Sequence, residues 1–181
     1  MSDSVMAADK AMTGLWDKHL EAEFAHKSPD AAMSTMTSNP RVTIVPIMVG
    51  GRGPEELKNF YARHFLNQLP PDLEVTSVSR TVGASRVVDE LVIKFTHTMQ
   101  MDWVLPGVPP TGKRIEFPMV VVVYTEGDQI AAENLYWDTA TILLQAGLLP
   151  DTKLPVPGAE SARNMLSHTA PLNELIKRTQ R

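Results

Sequence analysis

Between Met12 and Phe24 the large apolar residues Met12, Leu15, Trp16, Leu20 and Phe24 recur at three- and four-residue spacing and fall on one stripe, which predicts a first amphipathic helix. Ser28-Pro29-Asp30 combines an N-cap, a proline at the first helical position and an early acid, so a short second helix carrying Met33 and Met36 starts there. Gly50-Gly51-Arg52-Gly53 reads as a flexible turn. Pro54-Glu55-Glu56 then opens a third helix with Leu57, Phe60, Tyr61, His64 and Phe65 along one face, ended by Pro70-Pro71. From Leu73 the period changes to two, and strands are expected at about 74–82, 87–103, 113–125 and 129–137. Turn signals at Gly83-Ala84-Ser85, Pro106 to Gly112 and Glu126-Gly127-Asp128 separate them into an antiparallel meander. An earlier strand, 41–49, is interrupted by Pro46, which belongs at an edge or bulge because it cannot donate to a ladder.

If straight, the segment Val87 to Trp103 would run roughly 55 Å, whereas a compact chain of this length has a radius of gyration near ~16 Å. It must therefore bend, and long bent strands carry a sheet into a half-open cone. The expected fold class is α+β: a strongly curved, cone-like antiparallel sheet packed on N-terminal helices and enclosing a pocket. Residues 1–150 form one domain in this reading, and 151–181 a Pro-rich C-terminal tail with short helical pieces around Met165, Leu166, Leu172, Leu175 and Ile176.

With 17 Lys plus Arg against 21 Asp plus Glu and no block of like charge, the surface gives no electrostatic reason to bind nucleic acid. The absence of Cys excludes disulfides, thiolate chemistry and Cys-based zinc sites. The N-terminus lacks the apolar stretch of a secretory signal, and the longest apolar run, Met119 to Val123, is far too short for a bilayer, so no membrane association and a cytoplasmic location are expected.

Leu105-Pro106-Gly107-Val108-Pro109-Pro110-Thr111-Gly112-Lys113-Arg114, the Glu126-Gly127 turn, Tyr136-Trp137-Asp138 and Gln145-Ala146-Gly147-Leu148-Leu149-Pro150, in that order, resemble the SnoaL-like branch of the nuclear transport factor 2 superfamily. The resemblance covers about residues 10–150. It implies a conical α+β fold, often dimeric, whose apolar cavity serves polyketide cyclisation, isomerisation, dehydration or ligand binding without chemistry. In the cyclases of this branch an Asp on the last strand acts as acid and base with a His on the preceding strand. Aligned here, those positions hold Leu135 and Val120, so chemistry must come from other polar groups.

Two such groups stand out. His97 alone interrupts the apolar face Leu91, Ile93, Phe95, Met99, Met101 and Trp103, where a partly desolvated imidazole suits a general base; the competing reading is a core histidine held by backbone. Glu133 shares a face with Ala131, Leu135 and Trp137, so it points toward the pocket with a raised pKa, or else sits near the rim and pairs with an Arg or Lys. His64 and Tyr61 approach from the third helix, and Trp16, Tyr61, Trp103 and Trp137 are candidate aromatic walls beside Val120 and Leu135. Asp138 reads as a helix N-cap. His19, Glu21, Glu23 and His26 read as pairs on an exposed helix surface, and no metal site or bound cofactor is expected. The functional expectation is a cofactor-free acid/base enzyme of isomerase, dehydratase or cyclase type, with His97 and Glu133 as catalysts on an apolar carbonyl compound. A non-catalytic ligand-binding or sequestering module is the alternative. A homodimer is expected because residues 117–123 are apolar on both faces of their strand.

Overall fold

The amphipathic stripe of the first helix needs an apolar surface to cover, and the sheet supplies it. In a computed structural model, which describes residues 3–149 and 154–178, helix α1 (Asp3–Leu20) runs into one π turn (Glu21–Ala25) before α2 (Pro29–Ser34). The Ser28 hydroxyl caps α2 by accepting from Ala31 N at 3.2 Å. Strand β1 (Met36–Ile44), a 3₁₀ turn holding Pro46 and strand β2 (Val49–Arg52) follow. Helix α3 (Gly53–Phe60) then passes into a second π turn (Tyr61–Phe65). The meander consists of β3 (Glu74–Gly83), β4 (Arg86–Thr96), β5 (Arg114–Glu126) and β6 (Gln129–Tyr136). Helices α4 (Thr139–Gln145), α5 (Glu160–Ser167) and α6 (Glu174–Arg178) close the described chain. None of the described helices is long and apolar enough to cross a membrane.

One open six-stranded sheet results, in the order β2-β1-β6-β5-β4-β3. The meander is antiparallel as the alternation predicts, but β1 joins β6 in parallel, so the sheet is mixed. Ladder irregularities between Ser77 and Ser79 and between Tyr124 and Thr125 mark where the strands depart from flat pairing.

Four local expectations are corrected. Met36 opens β1 instead of ending the second helix. The Gly50-Gly51-Arg52-Gly53 stretch is no flexible turn: its first three residues belong to edge strand β2, and Gly51 is pressed so closely on α3 that a Cβ would lie 2.5 Å from Leu57 Cα. Pro46 sits in the turn between β1 and β2, outside the ladder. Most consequentially, the segment 87–103 does not bend as one strand; β4 stops at Thr96, and residues 97–113 form a loop closed at its base by His97 N to Lys113 O (3.0 Å) and Gly112 N to His97 O (2.9 Å). Met101, Trp103, Val104 and Leu105 of this loop are fully buried, which is why the apolar alternation of the strand runs on through Met101 and Trp103.

The tail boundary between residues 150 and 151 lies outside the described residues. Beyond it, α5 is fixed to the sheet by Arg163, whose Nη2 donates to Glu116 Oε1 at 2.9 Å, and by buried Ala162.

Candidate active site

Four adjacent strands of the meander turn one face toward the N-terminal helices. The register brings Leu91 beside Met119, Asp89 beside Val121, Val121 beside Leu135 and Val123 beside Glu133, so these side chains share that face. With Trp16, Leu20 and Phe24 from the helical side and Phe65, Leu69 and Trp103 at one end, Asp89, Leu91, Met119, Val121, Glu133 and Leu135 line a cavity of about 630 Å³. That volume suits a small organic ligand. Exposed Lys27, Pro71 and Val75 stand at its rim.

Into this apolar space the chain places one dense polar cluster. Glu133 is 3% exposed and is one of the residues that line the cavity. Behind it lies His19, completely buried on α1, whose Nε2 is 3.1 Å from Oε1 of Glu133 and 3.1 Å from Oε1 of Glu23. A single ring N–H cannot serve two acceptors well, and Glu133 Oε1 is left without an aligned hydrogen bond. The Tyr61 hydroxyl adds a third oxygen, 3.3 Å from Nε2. On the other side of the ring the Thr35 hydroxyl donates to Ala32 O at 2.7 Å, so Thr35 Oγ1, 2.6 Å from Nδ1, accepts from the imidazole. Nδ1 therefore carries hydrogen, and Nε2, protonated as well in the imidazolium, faces the carboxylates.

Both π turns deliver residues to this cluster. Four residues along an α-helix overshoot one turn by about 40°; the wider turn over Glu21–Ala25 advances less per residue and sets Glu23 more directly above His19. The second π turn starts at Tyr61. Such single wide turns recur at functional sites.

Burial alone would lower the pKa of His19, but the carboxylates of Glu133 and Glu23 outweigh it and push it up to about 10. Burial raises the pKa of Glu133 against the opposing pull of His19. The Tyr61 phenol is raised too, first by burial and then by the two glutamates. The cluster is therefore an imidazolium beside a carboxyl poised to hold or release a proton toward the cavity.

A second polar group supports the first. Arg80 binds Asp89 through Nε to Oδ1 (2.7 Å) and Nη2 to Oδ2 (2.8 Å), and its Nη1 reaches Asp17 at 2.6 Å. Trp16 Nε1 donates to the same Asp89 at 2.8 Å, which holds the indole stacked on His19 at 5.5 Å between centroids and 15° between planes. Asp89 thus orients the wall against which the imidazole lies.

Of the residues singled out from sequence, Glu133, Trp16, Trp103 and Leu135 line the cavity, and Tyr61 lies behind it against His19. His97 does not line it. Beyond the end of β4, its Nδ1 accepts from Thr111 N at 3.3 Å and lies 3.2 Å from Thr111 Oγ1, and desolvation lowers its pKa. The structure thus does not bring His97 and Glu133 together. His64 pairs with Asp102 at 2.9 Å, away from the cavity. Val120 points to the opposite face from its lining neighbours Met119 and Val121, and Trp137 packs edge-on to Trp103 in the core. Asp138 caps α4 by accepting from Ala140 N at 2.9 Å. His19 and Glu23, read from sequence as an exposed surface, are instead at the centre; their spacing from Trp16 by three and seven residues, on the buried stripe, is the signal that marks them.

The model of the SnoaL-like domain matches residues 16–133, running from the indole against His19 to the cavity glutamate. The chain belongs to the SnoaL-like family. Solved structures agree on the fold of this SnoaL-like protein. A protein from Jannaschia sp. CCS1 assigned as a SnoaL-like polyketide cyclase superposes with a TM-score of 0.60 at 20% identity, over 76% of this chain and 94% of that one. TsrD from Streptomyces laurentii gives 0.61 at 18% identity, over 77% and 97%. A Catenulispora acidiphila protein with a ketosteroid isomerase-like fold, in complex with trimethylamine, gives 0.56 at 18% identity, over 75% and 93%. No curated protein matches the sequence.

Proposed function

We propose that this SnoaL-like protein is an acid/base enzyme that needs no bound cofactor and shifts protons on an apolar, carbonyl-bearing small molecule, as isomerases, dehydratases and cyclases do. One observation carries the reading: Glu133 lines an apolar cavity while His19 Nε2 stands 3.1 Å from its carboxyl. In this role Glu133 takes a proton from carbon next to the substrate carbonyl and returns it elsewhere on the same skeleton. His19, held by Thr35 and stacked on Trp16, keeps a positive charge beside the carboxylate throughout. His19 and Glu133 therefore replace the pairing of His97 with Glu133. Carbonyl substrates with a largely hydrocarbon surface fit the apolar walls.

The test is hydrogen–deuterium exchange next to the carbonyl of fused-ring enones and β-hydroxy ketones, followed by NMR in heavy water. Glu133→Gln is expected to slow exchange by about 10²- to 10⁴-fold, the usual contribution of general acid–base catalysis, with little change in ligand affinity. Exchange undiminished in Glu133→Gln would overturn the assignment. Tight binding with no exchange by the wild-type chain would favour a second reading, a sequestering module, which draws support from the apolar Leu135 at the position where the cyclases' acid is expected.

We further propose a homodimer built on the outer face of the sheet, where Val120 and Val122 are half-buried and Tyr136 is exposed. A monomeric mass by light scattering at micromolar concentration would refute it.

A further inference from the structure

Apart from moving a proton, the polar cluster has the donor set of a cation site. His19 Nε2, a Glu23 oxygen and a Glu133 oxygen lie within 4.8 Å of one another and are all buried. The two nitrogen-to-oxygen separations are 3.1 Å each. Donors that share an ion at about 2.0–2.2 Å stand roughly 3–3.5 Å apart, so both already have the spacing of neighbouring ligands.

Two further features point to an ion in place of the shared hydrogen. Because Thr35 Oγ1 accepts from Nδ1, Nε2 is the ring nitrogen turned to the carboxylates, and a hydrogen bond from the distal nitrogen is the usual device that aims a metal-binding imidazole. Independently, Glu133 Oε1 is buried, has no hydrogen-bond partner and points into the cluster. An ion there would give that oxygen a partner.

We propose that His19, Glu23 and Glu133 form a binding site for a divalent first-row transition-metal ion, zinc and cobalt included, with its open side toward the cavity. Two carboxylates neutralise the dication. One imidazole and two carboxylates suit such ions better than calcium, which takes six to eight oxygen ligands. Since Glu23 and Glu133 both line the cavity, an ion has an entry path, and a carbonyl or hydroxyl of a ligand can complete its coordination. The ion would occupy the space of the shared proton, so metal-loaded and proton-transferring forms are alternative states of one cluster. The proposal goes beyond the acid/base reading and does not need it, because it concerns the protein without substrate.

The full chain, stripped with chelator, is titrated with Co²⁺ by visible absorption and with Zn²⁺ by calorimetry. One ion per chain is expected. Glu133→Gln and Glu23→Gln, which preserve shape, should each weaken binding by at least about 100-fold, and Thr35→Val by about 10- to 100-fold through the loss of imidazole orientation. A His26→Gln/His168→Gln double variant, which removes exposed imidazoles, should bind as the wild type does. Circular dichroism melts confirm that each variant is folded. Wild-type chain that takes up neither ion at millimolar metal, or affinity unchanged in Glu133→Gln, would overturn the site. The exchange assay run in chelator keeps the two ideas apart: exchange without metal binding refutes only this site, and metal binding without exchange refutes only the acid/base reading.

Discussion

Raising the pH should weaken the fold through the buried cluster. Between the ordinary imidazole pKa of 6.5 and the value of about 10 that His19 has in the fold, the native chain holds a proton that the unfolded chain releases. Stability falls with pH wherever the native state binds more protons, so the contribution is fully present below about pH 6.5 and lost as pH rises through about 10. At 1.36 kcal/mol per unit the shift corresponds to about 5 kcal/mol. The raised pKa of Glu133 acts in the same direction, because its ionisation inside the fold is resisted. For a chain of this size about 5 kcal/mol is on the order of 10–20 °C in melting temperature. The assay is thermal and urea unfolding from pH 6 to 10.5 in chelator, with the His19→Gln/Glu23→Gln/Glu133→Gln variant as the reference for Lys and Tyr titrations elsewhere. Wild type should lose several kcal/mol more than the variant across that window. Superimposable pH profiles would refute the charge state assigned to His19.

Other expectations concern the scaffold. Replacing His97 with Ala should cost about 1–2 kcal/mol in urea unfolding by loosening the base of the 97–113 loop, with turnover in the exchange assay unchanged. Arg80→Met leaves Asp89 buried without its cation and should cost about 3–5 kcal/mol, most of which Arg80→Met/Asp89→Asn recovers in the same measurement. Gly51→Ala should destabilise by about 3 kcal/mol, since the added methyl meets α3 backbone that cannot move aside, and a melting temperature equal to wild type would show that β2 is not pressed on that helix.

What the sequence revealed follows from which forces are local. Alternation from Val75 to Tyr136 and the stripe from Met12 to Phe24 are local consequences of burial, and they located the meander and the first helix. The Ser28 and Asp138 caps were equally legible because a cap is a contact within three residues. Face parity on β6 was enough to turn Glu133 into the cavity. The same parity failed at His97, because a loop that buries Met101, Trp103 and Leu105 needs apolar residues as much as a strand does, and nothing within Thr96-His97-Thr98 marks where pairing ends. His19 and Glu23 were hidden for another reason. Charged groups are seldom fully buried unless paired, and their partner Glu133 comes from a strand far along the chain, joined to them only by tertiary packing. The parallel pairing of β1 with β6 is non-local in the same way.

Whether the cluster serves stability or function can be decided by removing its polarity altogether. Taking one partner away leaves an uncompensated charge, which confuses loss of function with loss of fold. Replacing the whole set by apolar side chains of similar size does not, and for buried ion pairs such replacement is often neutral or stabilising by about 1–4 kcal/mol. Here the variant is His19→Leu/Glu23→Leu/Tyr61→Phe/Glu133→Leu. Tyr61 must change as well because its hydroxyl faces the cluster, whereas Thr35 stays satisfied through the Ala32 carbonyl. The native arrangement already carries one carboxylate oxygen without a hydrogen bond and two acids on one imidazole, a costly way to fill space that four apolar groups would fill at least as well. The variant is therefore expected to melt at or above the wild-type temperature at neutral pH, to lose the alkaline sensitivity, and to show no proton exchange and no cobalt uptake. If it fails to fold while Glu133→Gln folds normally, the cluster is part of what specifies the packing of α1 on the sheet, and the functional reading loses its main physical support.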